Sequence, residues 1–189
     1  MQASLEDLIN GWQNGCPQSA DELKARLYYH LKQVCHVHLE GYRNEIDSTY
    51  VLQHLPHTGS LLHQSLIELI PPQQSINHQT QFNTYLSVFI RNILRDEIRK
   101  FQTLKRTPNA EKIQQQNDQL KHQEDFLALD SALNHLEKNH PQKAQIFSQH
   151  YFLGLDTKVL AKQFKVSLAT IYRELDAAKA FIKVRIQTN

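Results

Sequence analysis

Apolar side chains recur at steps of three and four residues along nearly the whole sequence, as they do in α-helices with one buried face. Leu5, Leu8, Ile9 and Trp12 show this spacing at the start of the chain. The 189 residues include only five Gly and six Pro. So few of them disfavour a turn-dense all-β fold and a Gly-rich phosphate-binding loop. The sequence therefore predicts an all-α protein.

Residues that commonly begin or end helices divide this pattern into segments. Pro71 and Pro72 end the third segment, because proline cannot continue a helix. Thr80 precedes a long fourth helix. The other predicted helix starts are Ser4, Ser19 with Glu22 as a capping box, Thr58, and Pro141 at a first helical position.

The apolar pattern is unclear between Gly41 and Pro56, which is interpreted as a loop with room for a short helix. It is lost between residues 102 and 124, where Leu104, Ile113 and Leu120 stand among Gln, Lys, Asn and Asp. Such a segment cannot form a core of its own, so it is interpreted as a linker with room for some helix. We expect two helical domains, over residues 1–101 and 125–189.

The C-terminal domain has the spacing of a helix-turn-helix. A short helix with Leu160 is followed by a turn at Lys165-Val166, and Ser167 caps a second helix. The buried face of that second helix is expected to contain Ile171, Leu175, Ala178 and Ile182. Its outward residues would face the DNA major groove, and an arginine there can make a bidentate contact to guanine. A helical hairpin with no DNA role is the alternative. The candidate DNA-binding residues are Ser167, Ala169, Thr170, Tyr172, Arg173 and Lys179.

The net charge of +2 hides an uneven distribution along the chain. Residues 82–106 hold six Lys or Arg and two Asp or Glu, a net charge of +4, whereas residues 1–81 have a net charge of −4. A basic helix with aromatic neighbours suits single-stranded DNA, where cations meet phosphates and rings stack on bases. Phe82, Tyr85, Phe89 and Phe101 could equally be core residues.

The basic segment resembles the promoter-melting helix of bacterial RNA polymerase sigma factors. In order and spacing it matches that pattern at Phe82, Tyr85-Leu86, Arg91-Asn92, Asp96 and Arg99-Lys100. The helix-turn-helix resembles the sigma domain that reads the upstream promoter element. With two domains, the chain is most similar to the extracytoplasmic-function (ECF) class. The resemblance implies core RNA polymerase and promoter DNA as partners, leaves an anti-sigma factor open, and assigns DNA melting to Arg91, Asn92, Arg95, Arg99 and Lys100.

In that family the helix corresponding to residues 60–69 binds the polymerase clamp. Two positions that are commonly acidic in the family are Ser60 and Gln64 here, and lost carboxylates would weaken contact with a basic partner. The residues implied in polymerase binding are Leu61, Leu62, His63, Gln64 and Glu68.

Other functions have less support in the sequence. Cys35 and His38 could share a metal ion, but two ligands do not complete a site, so we expect no metal and no cofactor. There is no nucleophile elbow or paired-carboxylate motif, and the protein is not expected to be an enzyme. No apolar run is long enough to span a membrane, so a cytoplasmic protein is expected. A stand-alone helix-turn-helix regulator that does not bind polymerase is the main alternative.

Overall fold

The computed structural model describes residues 3–41, 66–67, 69–104 and 113–187, without the side chains of residues 30–41, 97–98, 100–104 and 113–125. In these residues every regular element is a helix and there is no strand, as the apolar spacing predicts. Seven helices have bounds within the described part of the chain: α1 (Leu5–Gln13), α2 (Pro17–Gly41), α3 (Gln79–Leu104), α4 (Ile113–Asn139), α5 (Pro141–Leu153), α6 (Thr157–Phe164) and α7 (Leu168–Gln187).

The predicted helix starts agree with the structure at α1 and α5 but not at α2 and α3. Thr80, predicted to precede the long fourth helix, lies inside α3, which begins at Gln79. Ser4 and Asp7 form a capping box, in which Ser4 Oγ accepts from the Asp7 N–H at 3.1 Å, and Pro141 begins α5. The prediction that Ser19 opens the second helix is wrong, since α2 already begins at Pro17. Proline lacks the N–H that would have no helical partner there, and its fixed φ suits a first turn. Thr58 lies outside the described residues.

The core is built from the apolar faces that the spacing predicts. Trp12 of α1 packs edge-on against Phe82 of α3, with ring centroids 6.1 Å apart. Further along, α3 packs against α4 and α5, and α7 packs against α4, α5 and α6. The buried residues of the N-terminal helices (α1–α3) and the C-terminal helices (α4–α7) join in one cluster. Contact between the two sets of helices is therefore extensive.

The predicted linker contains helix on both sides of its middle. Helix α3 continues to Leu104 and α4 begins at Ile113, so only residues 105–112 lie outside the described part. The C-terminal part of α4 is buried through Phe126, Leu129 and Leu133. No helix in the described parts of the chain has the length and apolarity needed to cross a bilayer.

Candidate nucleic-acid interface

The helix-turn-helix consists of α6, a turn of residues 165–167 and α7. Asp156 caps α6 through Oδ1, which accepts from the Lys158 N–H at 2.7 Å. Lys165 then takes a left-handed conformation with φ 55°, and its N–H donates back to the end of α6. That conformation costs a non-glycine residue about 1–2 kcal/mol, which the surrounding contacts must offset. Ser167 starts α7, since its Oγ accepts from the Thr170 N–H at 3.1 Å. The predicted turn and cap are confirmed.

One face of α7 is buried and the opposite face is open to solvent. The four residues predicted to be buried are at most 4% exposed. On the other side, Ala169, Tyr172 and Arg173 are exposed, and Tyr172 retains 51% of its accessible surface. The Arg173 guanidinium lies 3.4 Å from Thr170 Oγ1, so the two polar groups share one surface. Ser167 is exposed as well, whereas Thr170 and Lys179 are partly buried.

The cations predicted to melt DNA do not share one environment on α3. Asn92 and Arg99 are exposed, and the Lys100 side chain lies outside the described residues. Arg91 is only 5% exposed, and Arg95 is partly buried. Both point towards α4, where Asp130 lies. In this arrangement almost none of the Arg91 surface is accessible to a nucleic acid.

Arg91 and Arg95 belong to a polar group that we name the Arg–Asp cluster (Arg91, Arg95, Asp130, Asn134 and Glu137). Arg91 Nε lies 2.5 Å from Asp130 Oδ1, and its NH2 donates to the Asp130 carbonyl and to Asn134 Oδ1, both at 2.7 Å. Arg95 donates to both Asp130 carboxylate oxygens at 2.8 Å. Glu137 Oε2 lies 3.6 Å from Arg91 NH1.

The Asp130 carboxyl is held ionised by these neighbours. Burial by itself raises the pKa of Asp130, but the hydrogen bond from Arg95 and the charge of Arg91 outweigh burial and leave the pKa below its usual value. The same hydrogen bond to Asp130 raises the pKa of Arg95. The cluster is therefore a charged one at neutral pH, with two guanidinium groups on one carboxylate.

The described aromatic side chains of α3 serve packing. Phe82 is 1% exposed, and Phe89 packs on the core beside Tyr85, with ring centroids 6.2 Å apart. The Tyr85 hydroxyl donates to the Ile70 carbonyl at 2.8 Å, and burial raises its pKa. Tyr85 thereby fixes the loop that precedes α3. The Phe101 side chain lies outside the described residues.

The polar residues of α4, α5 and α6 that contact α3 were not identified from the sequence. Besides Asp130, they include Gln149 of α5, which is fully buried, and Gln163 of α6. One signal was present at Asp130, because this acid lies between Leu129 and Leu133 in an apolar stripe. An acid in such a position needs a buried partner. The spacing within α4 does not reveal which residue supplies it.

Two groups of predictions concern residues outside the described part of the chain. All five polymerase-binding candidates, Leu61 to Gln64 and Glu68, are among them. So are the side chains of Cys35 and His38. Among the side chains that are described, no three His, Cys, Asp or Glu residues lie together in a way that could hold a metal ion.

Comparison with protein families gives a match over nearly the whole chain. A family model described as ECF sigma factor matches residues 2–188, nearly the whole chain. Searches of curated proteins and of solved structures returned no match. The family match covers both the basic helix α3 and the helix-turn-helix formed by α6 and α7.

Proposed function

Because the chain belongs to the ECF sigma factor family, whose members direct core RNA polymerase to specific promoters, we propose how its helices divide that task. Residues 1–101 form the domain that binds polymerase and melts promoter DNA. Residues 102–124 link it to residues 125–189, which read the upstream promoter element. The observation that carries this proposal is the exposed face of α7 opposite its four buried residues, within a helix-turn-helix.

The first turns of α7 read base edges in the major groove. Small residues at the helix tip, Ser167 and Ala169, allow close approach, while Tyr172 and Arg173 extend outward. A bidentate arginine contact to guanine supplies about 1–3 kcal/mol of discrimination against other bases. Thr170 lies next to Arg173 and holds its guanidinium on that surface. Lys179, further along α7, contacts a phosphate of the DNA backbone.

Helix α3 acts on the melted strand through its polar and cationic residues. Asn92 and Arg99 are exposed at the surface, and Lys100 is next in sequence. Arg91 and Arg95, which are paired with Asp130, are the other two residues assigned to this role. Single-stranded DNA binds such a surface through its phosphates, and the affinity falls as salt rises.

The polymerase contact is assigned to the segment that contains Leu61, Leu62, His63, Gln64 and Glu68. Ser60 and Gln64 replace commonly acidic residues, so the electrostatic part of this contact is weaker than in family members that keep them.

Run-off transcription with core polymerase and a genomic promoter library tests the function. We expect specific start sites that require this chain. A stand-alone regulator would bind promoter DNA without binding core polymerase, and that result would refute the proposal. Alanine at both Arg95 and Arg99 should reduce open-complex formation more than polymerase binding. Equal loss of both would show that α3 is only a scaffold. Glu22→Gln, in the exposed pair with Arg26 on α2, is the control.

A further inference from the structure

The loop of residues 69–78 leads into α3, and side chains of that helix hold its two ends. Tyr85 donates from its hydroxyl to the Ile70 carbonyl at 2.8 Å. Gln81 Oε1 accepts from the Asn77 N–H, also at 2.8 Å. Backbone groups outside helices need such partners, because they have none within a regular element. The loop and the start of α3 therefore form one hydrogen-bonded unit.

Gln13, the last residue of α1, binds the middle of the same loop through both polar atoms of its amide. Its Oε1 accepts from the Ile76 N–H at 3.1 Å, and its Nε2 donates to the Gln74 carbonyl at 3.4 Å. These partners are 63 and 61 positions away in the chain. Trp12 is 3% exposed and packs on Phe82, which fixes the end of α1 beside the loop. Gln13 thus adds a third attachment to the two that α3 supplies.

The backbone of the loop is restrained by its own residues as well. Leu69 and Ile76 are 2% and 5% exposed, so both are anchored in the core. Pro71 and Pro72 lie between them, and the proline ring fixes φ. A rigid support of this kind holds exposed side chains in one arrangement, which lowers the entropy lost when they bind a partner.

The side chains that the loop exposes are polar and uncharged. They are Gln73, Gln74, Ser75, Asn77 and His78, and residues 69–78 contain no Lys, Arg, Asp or Glu. An amide both donates and accepts, as the edge of an unpaired base does, whereas a phosphate of the DNA backbone only accepts. The cations that suit phosphates lie on α3 instead, where Arg99 is exposed. The chemistry of the loop therefore fits the bases of the strand whose phosphates α3 binds.

On the basis of the function proposed above, we propose that Gln13 is a positioning residue for promoter opening. Gln13 holds the loop so that the exposed amides meet the bases of the melted strand, and it does not itself contact DNA. Its two hydrogen bonds flank Ser75, because they attach the backbone on either side, at Gln74 and Ile76. Without them the loop keeps its attachments to α3 at both ends, so it stays in place with a less defined middle.

The first test measures open-complex formation by the holoenzyme on promoters in which each base of the melted segment is varied in turn. Gln13→Met removes both hydrogen bonds and keeps the length of the side chain. We expect the wild type to prefer one base by about fivefold or more at one position at least, the size of a single amide–base contact, and Gln13→Met to lose most of that preference. Asn10→Ala removes an exposed amide from the same helix and should keep the preference. A wild-type base preference in the Gln13→Met protein would overturn the proposal.

A partial replacement separates positioning from packing. Gln13→Glu keeps the acceptor for the Ile76 N–H and loses the donor to the Gln74 carbonyl. Its base preference should lie between those of the wild type and Gln13→Met, and all these variants should bind core polymerase with wild-type affinity. A residue that only stabilised the fold would lower opening by the same factor on every promoter. That result would contradict a positioning role.

A loop variant supplies a test that does not depend on how well Gln13→Met folds. Gln73→Ala, Gln74→Ala and Asn77→Ala together remove exposed amides and leave the backbone partners of Gln13 in place. We expect this triple variant to lose the base preference, and Gln13→Met added to it to cause no further loss. A triple variant that keeps the preference, or effects that add in the combined protein, would show that Gln13 does not act through these amides. A wild-type holoenzyme that opens no promoter would instead refute the proposed function.

Discussion

Two ion pairs in this protein have the same length and different surroundings, and they should differ in energy accordingly. Arg91 lies 2.5 Å from Asp130, and Arg26 lies 2.5 Å from Glu22. The side chains of the first pair are 6% and 9% exposed, whereas those of the second are 34% and 45% exposed. Distance alone would assign them equal strength. Burial is therefore the variable that the comparison isolates.

The expected coupling energy of each pair depends on how far the remaining charge is desolvated when its partner is removed. Removing one member of a buried pair costs about 3–5 kcal/mol, since the other charge stays desolvated without its partner. An exposed pair four residues apart on one helix contributes about 0.3–0.5 kcal/mol. Arg95 still neutralises part of the Asp130 charge when Arg91 is replaced. We therefore expect a coupling energy of about 2–3 kcal/mol for Arg91 and Asp130, near the upper range for residues in contact.

Double-mutant cycles by urea denaturation measure both couplings. The first cycle combines Arg91→Met with Asp130→Asn, and the second combines Arg26→Met with Glu22→Gln. Methionine keeps an unbranched chain of similar reach, so the lost charge dominates each difference. Coupling energies that agree within about 0.5 kcal/mol, the usual limit of additivity, would refute the reasoning from burial.

Three further predictions concern the reading helix, a helix cap and acid pH. Arg173→Ala should weaken binding of the polymerase-bound protein to its promoter by about 1–3 kcal/mol in gel-shift titrations, and an unchanged affinity would remove Arg173 from the contact. Asp156→Ala should lower the free energy of unfolding by about 1 kcal/mol because α6 loses its cap, whereas Asp176→Ala on exposed α7 should not. The depressed Asp130 pKa stabilises the fold above the ordinary Asp value of about 3.9. The stability advantage of the wild type over Asp130→Asn should therefore be constant near neutral pH and shrink as the pH falls below about 4; an advantage that grows there would contradict this sign.

Local features of the fold follow from the sequence because each is contained in one helix or one turn. The buried face of α7 needs only apolar residues at steps of three and four, and Ser167 is recognised by its position before them. The start of α2 was placed too late because Ser19 and Glu22 match a capping box that the structure does not use. A motif match competes with a proline two residues earlier, and local spacing does not decide between them.

Features that depend on which helices meet were not predictable in the same way. Arg91, Arg95 and Arg99 lie four residues apart, so they share one face of α3. A basic face of this kind serves equally well to bind DNA or to pair with an acid on another helix. In this protein the acid on another helix is Asp130, which is 39 positions from Arg91 in the sequence. Only the tertiary packing of α3 against α4 brings them together.

This packing lowers the attraction for DNA that the charge distribution of the chain suggests. Residues 82–106 carry a net charge of +4, which alone suggests a segment that binds DNA in the free protein. Two of its six cations are already paired with Asp130, and an anion bound there must displace a carboxylate that is hydrogen-bonded to both. The local attraction for DNA is therefore smaller than the charge count indicates. A sigma factor built in this way should bind DNA weakly by itself and depend on polymerase for affinity.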